Sequence, residues 1–254
     1  MKIGVQMYSV RDFCKDSEAL SETLKKIADI GYTTVQISGT CDFQAEWMST
    51  ELKKHGLSCV LTHTKAEKML ADPALVAKEH LTFGCPNVGL GAMPNFKQID
   101  EGVYHDFVSS FRSVAERLKA NGCKMYYHHH HYEFAKSENG QRYIDRILAD
   151  FPADLLGIIF DSYWVQFAGA DPAEFLLKLA GRAECIHLKD MVVVGAEQRF
   201  APVGSGNLNF DRILSAAETV GTSYLLVEQD KSYGEDIFDC LRRSYDYLTS
   251  LGLA

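Results

Sequence analysis

Four residues of metal-ligating type follow one another along the second half of this 254-residue chain. Glu133 lies in Tyr127-His128-His129-His130-His131-Tyr132-Glu133-Phe134, and Asp161 in Phe160-Asp161-Ser162-Tyr163-Trp164. His187 lies in His187-Leu188-Lys189-Asp190, and Glu228 in Val227-Glu228-Gln229-Asp230. Carboxylates brought close together resist joint ionisation unless a cation sits between them. A divalent ion is the natural resolution. Three carboxylates and one imidazole suit a borderline-hard ion, Mn²⁺ first, with Mg²⁺, Co²⁺ or Zn²⁺ as alternatives. Taken singly, a strand-end acid reads as a helix cap or a surface group. The metal reading rests on all four falling at the ends of consecutive predicted strands.

Those strands come from a pattern of short apolar runs alternating with longer amphipathic ones, repeated eight times. Predicted strands cover residues 3–8, 33–37, 57–62, 87–90, 124–128, 155–160, 184–188 and 223–227. Predicted helices cover 17–30, 43–55, 73–82, 103–121, 140–150, a segment opening at Asp171-Pro172, 210–220 and 237–251, and a loop of about 20 residues follows the seventh strand. Several helices stop at a glycine (Gly31, Gly56, Gly122) with a strand close behind, the grammar of parallel βα units. Eight units of about 32 residues match a single (β/α)8 TIM barrel over residues 1–254. The first strand lacks the G-x-G-x-x-G turn of a dinucleotide fold. In such a barrel the C-terminal strand ends share one rim.

Composition narrows the function classes. At 46% hydrophobic and 24% charged, the chain is that of an ordinary globular protein. A net charge of −8 gives no support for gripping nucleic acid. Seven scattered cysteines without a C-x-x-C pair read as buried thiols in a reducing compartment. No apolar run approaches a membrane span and no signal-peptide stretch opens the sequence, so the expectation is a cytoplasmic protein with no membrane partner.

The segment 127–134 resembles the Tyr-His-Asn-His-Asp-Phe-Glu-Phe signature of the xylose isomerase-like TIM barrels of the sugar phosphate isomerase/epimerase group. It departs from the signature at His129, His131 and Tyr132. Gly4-Val5-Gln6-Met7-Tyr8-Ser9-Val10-Arg11-Asp12, Gly169-Ala170-Asp171-Pro172, His187-Leu188-Lys189-Asp190-Met191 and Ala201-Pro202-Val203-Gly204-Ser205-Gly206 resemble the same group in order. The resemblance implies metal ligands at Glu133, Asp161, His187 and Glu228, and a small-molecule sugar as substrate. It further implies that Glu133 and Glu228 flank a keto sugar and pass its proton through a cis-enediolate, giving an isomerase or epimerase. Expulsion of a β-hydroxyl would instead make a dehydratase or lyase on a keto sugar, inositol derivative or 3-keto-glycoside. Pairing into a homo-oligomer through outer helices or rim loops is common in such barrels. The related apurinic-site endonucleases need three zinc ions and a histidine three positions after the strand-six Asp, where this chain has Trp164. A non-catalytic sugar-binding barrel would be expected to have lost a ligand.

Supporting roles fall to neighbours. Lys189 shares a strand face with His187 and reads as an oxyanion stabiliser, or as a structural ion-pair partner. By alternation His128 and His130 point into the mouth, opposite His129 and His131. Together with His63, Gln6 and Trp164 they are candidates to bind substrate, each with a packing role as the alternative. Gly204-Ser205-Gly206 reads as a turn more readily than as an anion site.

Overall fold

The computed structural model describes residues 1–253. Eight parallel strands surround one axis: β1 (Lys2–Gln6), β2 (Thr34–Ile37), β3 (Ser58–Thr62), β4 (Asn87–Leu90), β5 (Lys124–His128), β6 (Leu156–Asp161), β7 (Cys185–Leu188) and β10 (Tyr224–Val227). Their hydrogen-bonded order, β3-β2-β1-β10-β7-β6-β5-β4, leaves a single seam between β3 and β4. The chain therefore forms a TIM barrel. Across the seam the Asn87 side-chain amide donates to the Val60 carbonyl at 3.0 Å, and the Thr64 amide to the Gly89 carbonyl at 2.7 Å. These bonds bring the edges together without a regular ladder.

The helices wrap the outside: α1 (Ser17–Ile30), α2 (Ala45–Lys54), α3 (Ala66–Ala71), α4 (Pro73–Thr82), α5 (Glu101–Ala120), α6 (Tyr143–Asp150), α7 (Ser162–Phe167), α8 (Pro172–Leu177), α9 (Phe210–Val220) and α10 (Ile237–Ser250). Side-chain caps explain their starts. Asp16, Asp72, Asp100, Asp171, Asn209 and Asp236 each accept a backbone N–H of the first turn. The strands are buried on both faces, because one face packs on helices and the other on the barrel interior. None of the described helices is long and apolar enough to cross a membrane.

The interior explains how the mouth is built. Val60, Tyr126, Ile159, Cys185 and Leu226 pack into a small inner cluster that plugs the barrel. Side chains along a strand alternate, so the residue two positions further on points the same way, one layer higher. Those residues are Thr62, His128, Asp161, His187 and Glu228. A polar layer thus sits directly on an apolar floor.

One difference from the sequence reading concerns a loop. The expected plain loop after the seventh strand contains an antiparallel hairpin, β8 (Asp190–Val194) with β9 (Glu197–Ala201). Its outer residues Val193 and Val194 are exposed, so burial did not dictate the pairing. After the hairpin, the buried Asp190 carboxylate accepts the backbone N–H groups of Met191, Gly204, Gly206 and Leu208. The donors that an external anion would use at Gly204-Ser205-Gly206 are thereby satisfied from within, and the segment is a turn.

The β3–β4 seam depends on Gly89. A Cβ there would stand 2.1 Å from the Thr62 carbonyl oxygen, which is backbone and cannot rotate away. Gly89→Ala is expected to destabilise the fold by about 1–3 kcal/mol as an overpacking change. Urea unfolding of the two proteins, compared at equal m-value, measures it.

Candidate metal centre

Four side chains of the polar layer meet. One ligand atom each from His128, Asp161, His187 and Glu228 lies within 4.8 Å of the others, and all four residues are buried. The His187 Nδ1 is 2.9 Å from Glu228 Oε2 and 3.6 Å from Asp161 Oδ2. The His128 Nε2 is 3.3 Å from Asp161 Oδ2.

Each ligand is aimed by a bond on its far side. His187 Nε2 lies 2.7 Å from the Gln36 side-chain oxygen, which can only accept, so Nε2 carries a hydrogen and Nδ1 faces the centre. His128 Nδ1 lies 3.2 Å from the Gly91 carbonyl, which likewise assigns the hydrogen to Nδ1 and turns Nε2 inward. Asp161 divides its oxygens: Oδ1 caps α7 through the Trp164 amide, and Oδ2 faces the imidazoles. The helix-cap reading and the ligand reading of Asp161 are both correct, one for each oxygen.

The donor set fits a divalent ion. His187 Nδ1 and Glu228 Oε2 are buried, have no hydrogen-bond partner, and point at each other. Two lone pairs so placed repel unless a proton or a cation lies between them. Ligand atoms about 2.0–2.2 Å from a common ion stand roughly 3–4 Å apart, close to the spacing found. Two imidazoles with two carboxylates suit borderline ions such as Mn²⁺, Co²⁺ or Zn²⁺. When no ion is bound, the charges respond to one another. Despite burial, Glu228 and Asp161 push the His187 pKa up to about 9. Against the same burial, Lys189 and His187 hold Glu228 well below the usual carboxylate range. Asp161 is held low as well, by Lys189 and His187.

Glu133, expected from the sequence as a ligand and as an acid/base group, stands outside this cluster, and His128 takes the strand-five place in it. The Glu133 Oε1 accepts from the Tyr127 hydroxyl at 2.5 Å and its Oε2 from the His130 backbone N–H at 2.8 Å. Five residues beyond the end of β5, it sits in a 3₁₀ turn (Tyr132–Phe134) and folds back beneath the loop as a brace. Burial raises its pKa to about 7. The strand-five residue of the candidate group is His128, which stands in the same layer as Asp161, His187 and Glu228.

A cavity of about 250 Å³ opens above the centre, lined by residues that include His63, His128, His130, Lys189, Glu228 and Asp230. Lys189 is buried, with its ammonium 2.9 Å from Asp230 Oδ2, 3.3 Å from Glu228 Oε2 and 3.8 Å from Asp161 Oδ2. Asp230, which the sequence reading left unassigned, keeps Oδ1 without a partner. Burial and then Glu228 push its pKa up to about 6. His63 Nδ1 lies within hydrogen-bond reach of the Gln6 amide and the Ser38 hydroxyl, 3.3 Å from each, while its buried Nε2 is unpartnered. Burial lowers the pKa of both His63 and His130 to about 3, so they meet a ligand as neutral imidazoles.

Two expected substrate-binding residues stand one layer back. Gln6 is fully buried, spending its oxygen on the Tyr8 amide and its nitrogen on His63, and so it positions that ring. Trp164 packs against His130, His131 and Phe200, and the Lys189 ammonium lies 5.1 Å from its ring. It walls the lysine and is absent from the cavity lining. Gln36 and Gly91 were missed. A glutamine inside a strand and a glycine just after one carry no ligand chemistry of their own, although an inward-facing Gln36 invited the search for a polar partner.

The family model for xylose isomerase-like TIM barrels matches residues 24–248. The chain belongs to that family. A sugar phosphate isomerase/epimerase from Parabacteroides distasonis superimposes with TM-score 0.83 at 21% identity, covering 98% of this chain and 93% of that one. An L-ribulose 3-epimerase gives 0.75 at 15% identity, with 100% and 95% covered. A probable 3-DHS dehydratase from Bacillus anthracis gives 0.73 at 15% identity, with 98% and 99% covered. At these identities the likeness is one of fold. A comparison with curated proteins finds no match.

Ion binding must displace the His187 proton, whereas burial keeps His128 neutral already. Titration calorimetry near pH 7.5 in buffers of different ionisation enthalpy should therefore show about one proton released per ion. Apparent affinity should rise with pH and level off near the His187 value of about 9. The metal-free fold behaves oppositely. The raised His187 pKa stabilises it below the ordinary value of 6.5, and that contribution is lost as pH rises through about 9. Glu133→Gln should retain one ion per chain, and His128→Ala should lose it, as read by metal analysis after gel filtration.

Proposed function

We propose that this protein is a divalent-metal-dependent enzyme that enolises a keto sugar or a related polyol ketone. The observation that carries the reading is the buried two-histidine, two-carboxylate centre with both imidazoles fixed to face inward, placed directly beside the Lys189–Asp230 pair at the cavity wall. The family and the names of its similarly folded relatives support the same class of chemistry. A divalent ion held there supplies Lewis acidity toward a carbonyl oxygen and neutralises charge developing on it.

The protein groups divide the remaining work. Glu228, held well below the usual carboxylate range, is a ligand and a weak base. Asp230, at about 6, is much better matched to take a carbon-bound proton near neutral pH. Lys189 orients Asp230 and offers a buried positive charge to the enediolate oxygen. His63 and His130 line the cavity as neutral imidazoles that orient hydroxyls.

Both lining carboxylates come from the end of β10, and the rest of the lining offers neutral imidazoles and the hydroxyl residues Tyr8, Ser38 and Tyr132 but no further carboxylate. Epimerisation across two faces needs a second acid opposite the first. A single base suits a proton shift along one face, which isomerises, or removal of the proton before a β-hydroxyl leaves. We therefore favour isomerisation, with a dehydratase or lyase outcome second. The substrate is a small neutral polyol, and Mn²⁺ is the first ion to supply.

The deciding measurement follows solvent deuterium by NMR into keto sugars, inositol-derived ketones and 3-keto-glycosides, using metal-loaded protein. Exchange without net conversion establishes enolisation, and the product distinguishes isomerase from lyase. Asp230→Asn should keep its ion and lose at least about a hundredfold in exchange rate, the scale of general-base catalysis. Glu228→Gln should lose both ion and exchange. Wild-type kcat/KM should fall on an acid limb that Asp230→Asn removes. An Asp230→Asn enzyme within threefold of wild type would return the proton transfer to Glu228.

A further inference from the structure

A second cleft of about 490 Å³ adjoins the metal cavity and shares Ser38 and His63 with it. It lies between the segments following β2 and β3 and is backed by α4. The metal cavity, at about 250 Å³, is below the roughly 300–1,000 Å³ usual for small-molecule sites; the two together fall within that range.

The lining of the cleft has its own chemistry. Thr62 and Thr64 bond each other at 2.9 Å and His80 Nε2 at 2.9 and 3.3 Å. His80 Nδ1 is committed to the Val76 carbonyl at 2.7 Å, so Nε2 is an acceptor and one threonine hydroxyl donates to it. The threonine oxygens keep lone pairs for an incoming hydroxyl. Phe43 and Phe83 meet edge to face with ring centroids 6.1 Å apart, giving the cleft an apolar, aromatic side. Its charges cancel in pairs, Lys65 with Asp42 at 3.4 Å and Lys68 with Glu79 at 2.6 Å. Burial keeps His80 neutral by lowering its pKa to about 4. Hydroxyl acceptors beside aromatic rings, with no net charge, are the recognition chemistry of an uncharged sugar ring.

Resting on the function proposed above, we infer that the substrate is a two-ring glycoside. The keto-sugar ring sits over the metal centre, and a second, uncharged sugar ring occupies the cleft between Phe43 and His80, with His63 at the junction.

The test compares kcat/KM for deuterium exchange into a 3-keto-hexose, the corresponding 3-keto-disaccharide, a 3-keto aryl glucoside and a ketose phosphate. Ala45 lines the cleft and carries no polar group, so Ala45→Trp plugs it without touching the centre. Thr40→Trp, also in the lining, serves as a second plug should the first misfold. The disaccharide should exceed the monosaccharide by about tenfold or more, and the plugged variants should remove that advantage while leaving monosaccharide exchange unchanged. Equal rates for one and two rings, preference for the phosphate or aryl compound, or equal losses on both substrates in plugged variants would overturn the inference and leave enolisation standing. Binding of an unreactive disaccharide alditol, measured by calorimetry, separates the two claims. If no ketone exchanges but the alditol binds wild type and not the plugged variants, the enolase reading fails and the second-ring site stands. If it fails to bind and no ketone exchanges, both fall.

Discussion

The whole mouth of this barrel is organised around one close contact that needs positive charge: an imidazole nitrogen and a carboxylate oxygen, His187 Nδ1 and Glu228 Oε2, face each other at 2.9 Å in a buried position. Burying two acceptors lone pair to lone pair costs free energy unless positive charge is placed between or beside them. The protein answers in two ways. Protonation of His187 supplies charge from within, and Lys189 adds a second positive group 3.3 Å from the same Glu228 oxygen. A divalent ion held there would supply the charge more compactly and would also satisfy Asp161 and His128. Metal affinity, proton release and the charge state of the cavity wall are therefore consequences of one contact and cannot be tuned separately.

The fold earns that contact by layering. A plug of apolar side chains closes the barrel, and the strand period of two lifts the next side chain of each strand into a common plane. The bonds that aim the imidazoles come from elements remote in sequence, Gln36 on β2 for His187 and Gly91 after β4 for His128. Gly91 contributes twice. Its carbonyl accepts from His128, and its missing side chain leaves room for His63, whose Nδ1 would lie 3.2 Å from a Cβ at that position.

Much of this was legible in the sequence for the same reason that it forms. Segments with a capping residue, such as α1 after Asp16, α4 after Asp72 and α9 after Asn209, have local causes, reinforced in α1 and α9 by strong periodicity, and their predicted ends coincide with the observed ones. The convergence of Asp161, His187 and Glu228 was legible because each lies within or one residue past its strand, where alternation still determines direction. Glu133 lies five residues past the end of β5, where the chain has left the pleat and side-chain direction depends on the turn. Residue type favoured an acid there, and the geometry favoured His128. The hairpin β8–β9 escaped because its valines are exposed and its register depends on Asp190 gathering amides from up to eighteen residues away, a tertiary cause without a local pattern.

A centre with His128 in the place expected for Glu133 would differ in chemistry as well as in its ligands. Two glutamates on opposite sides of a substrate would give the site two proton-transfer groups and a route from one face of the carbon to the other. A histidine ligand brings no such group, since its Nδ1 hydrogen is committed to Gly91 and its Nε2 to the centre. What remains is an acid/base inventory concentrated at the end of β10, with Asp230 held 2.9 Å from a lysine that can share its proton balance. On the proposed function, one face of a bound ketone would meet a base. The cavity also holds neutral histidines and, beyond His63, adjoins the hydrogen-bonded group Thr62, Thr64 and His80, surroundings suited to holding hydroxyl groups still.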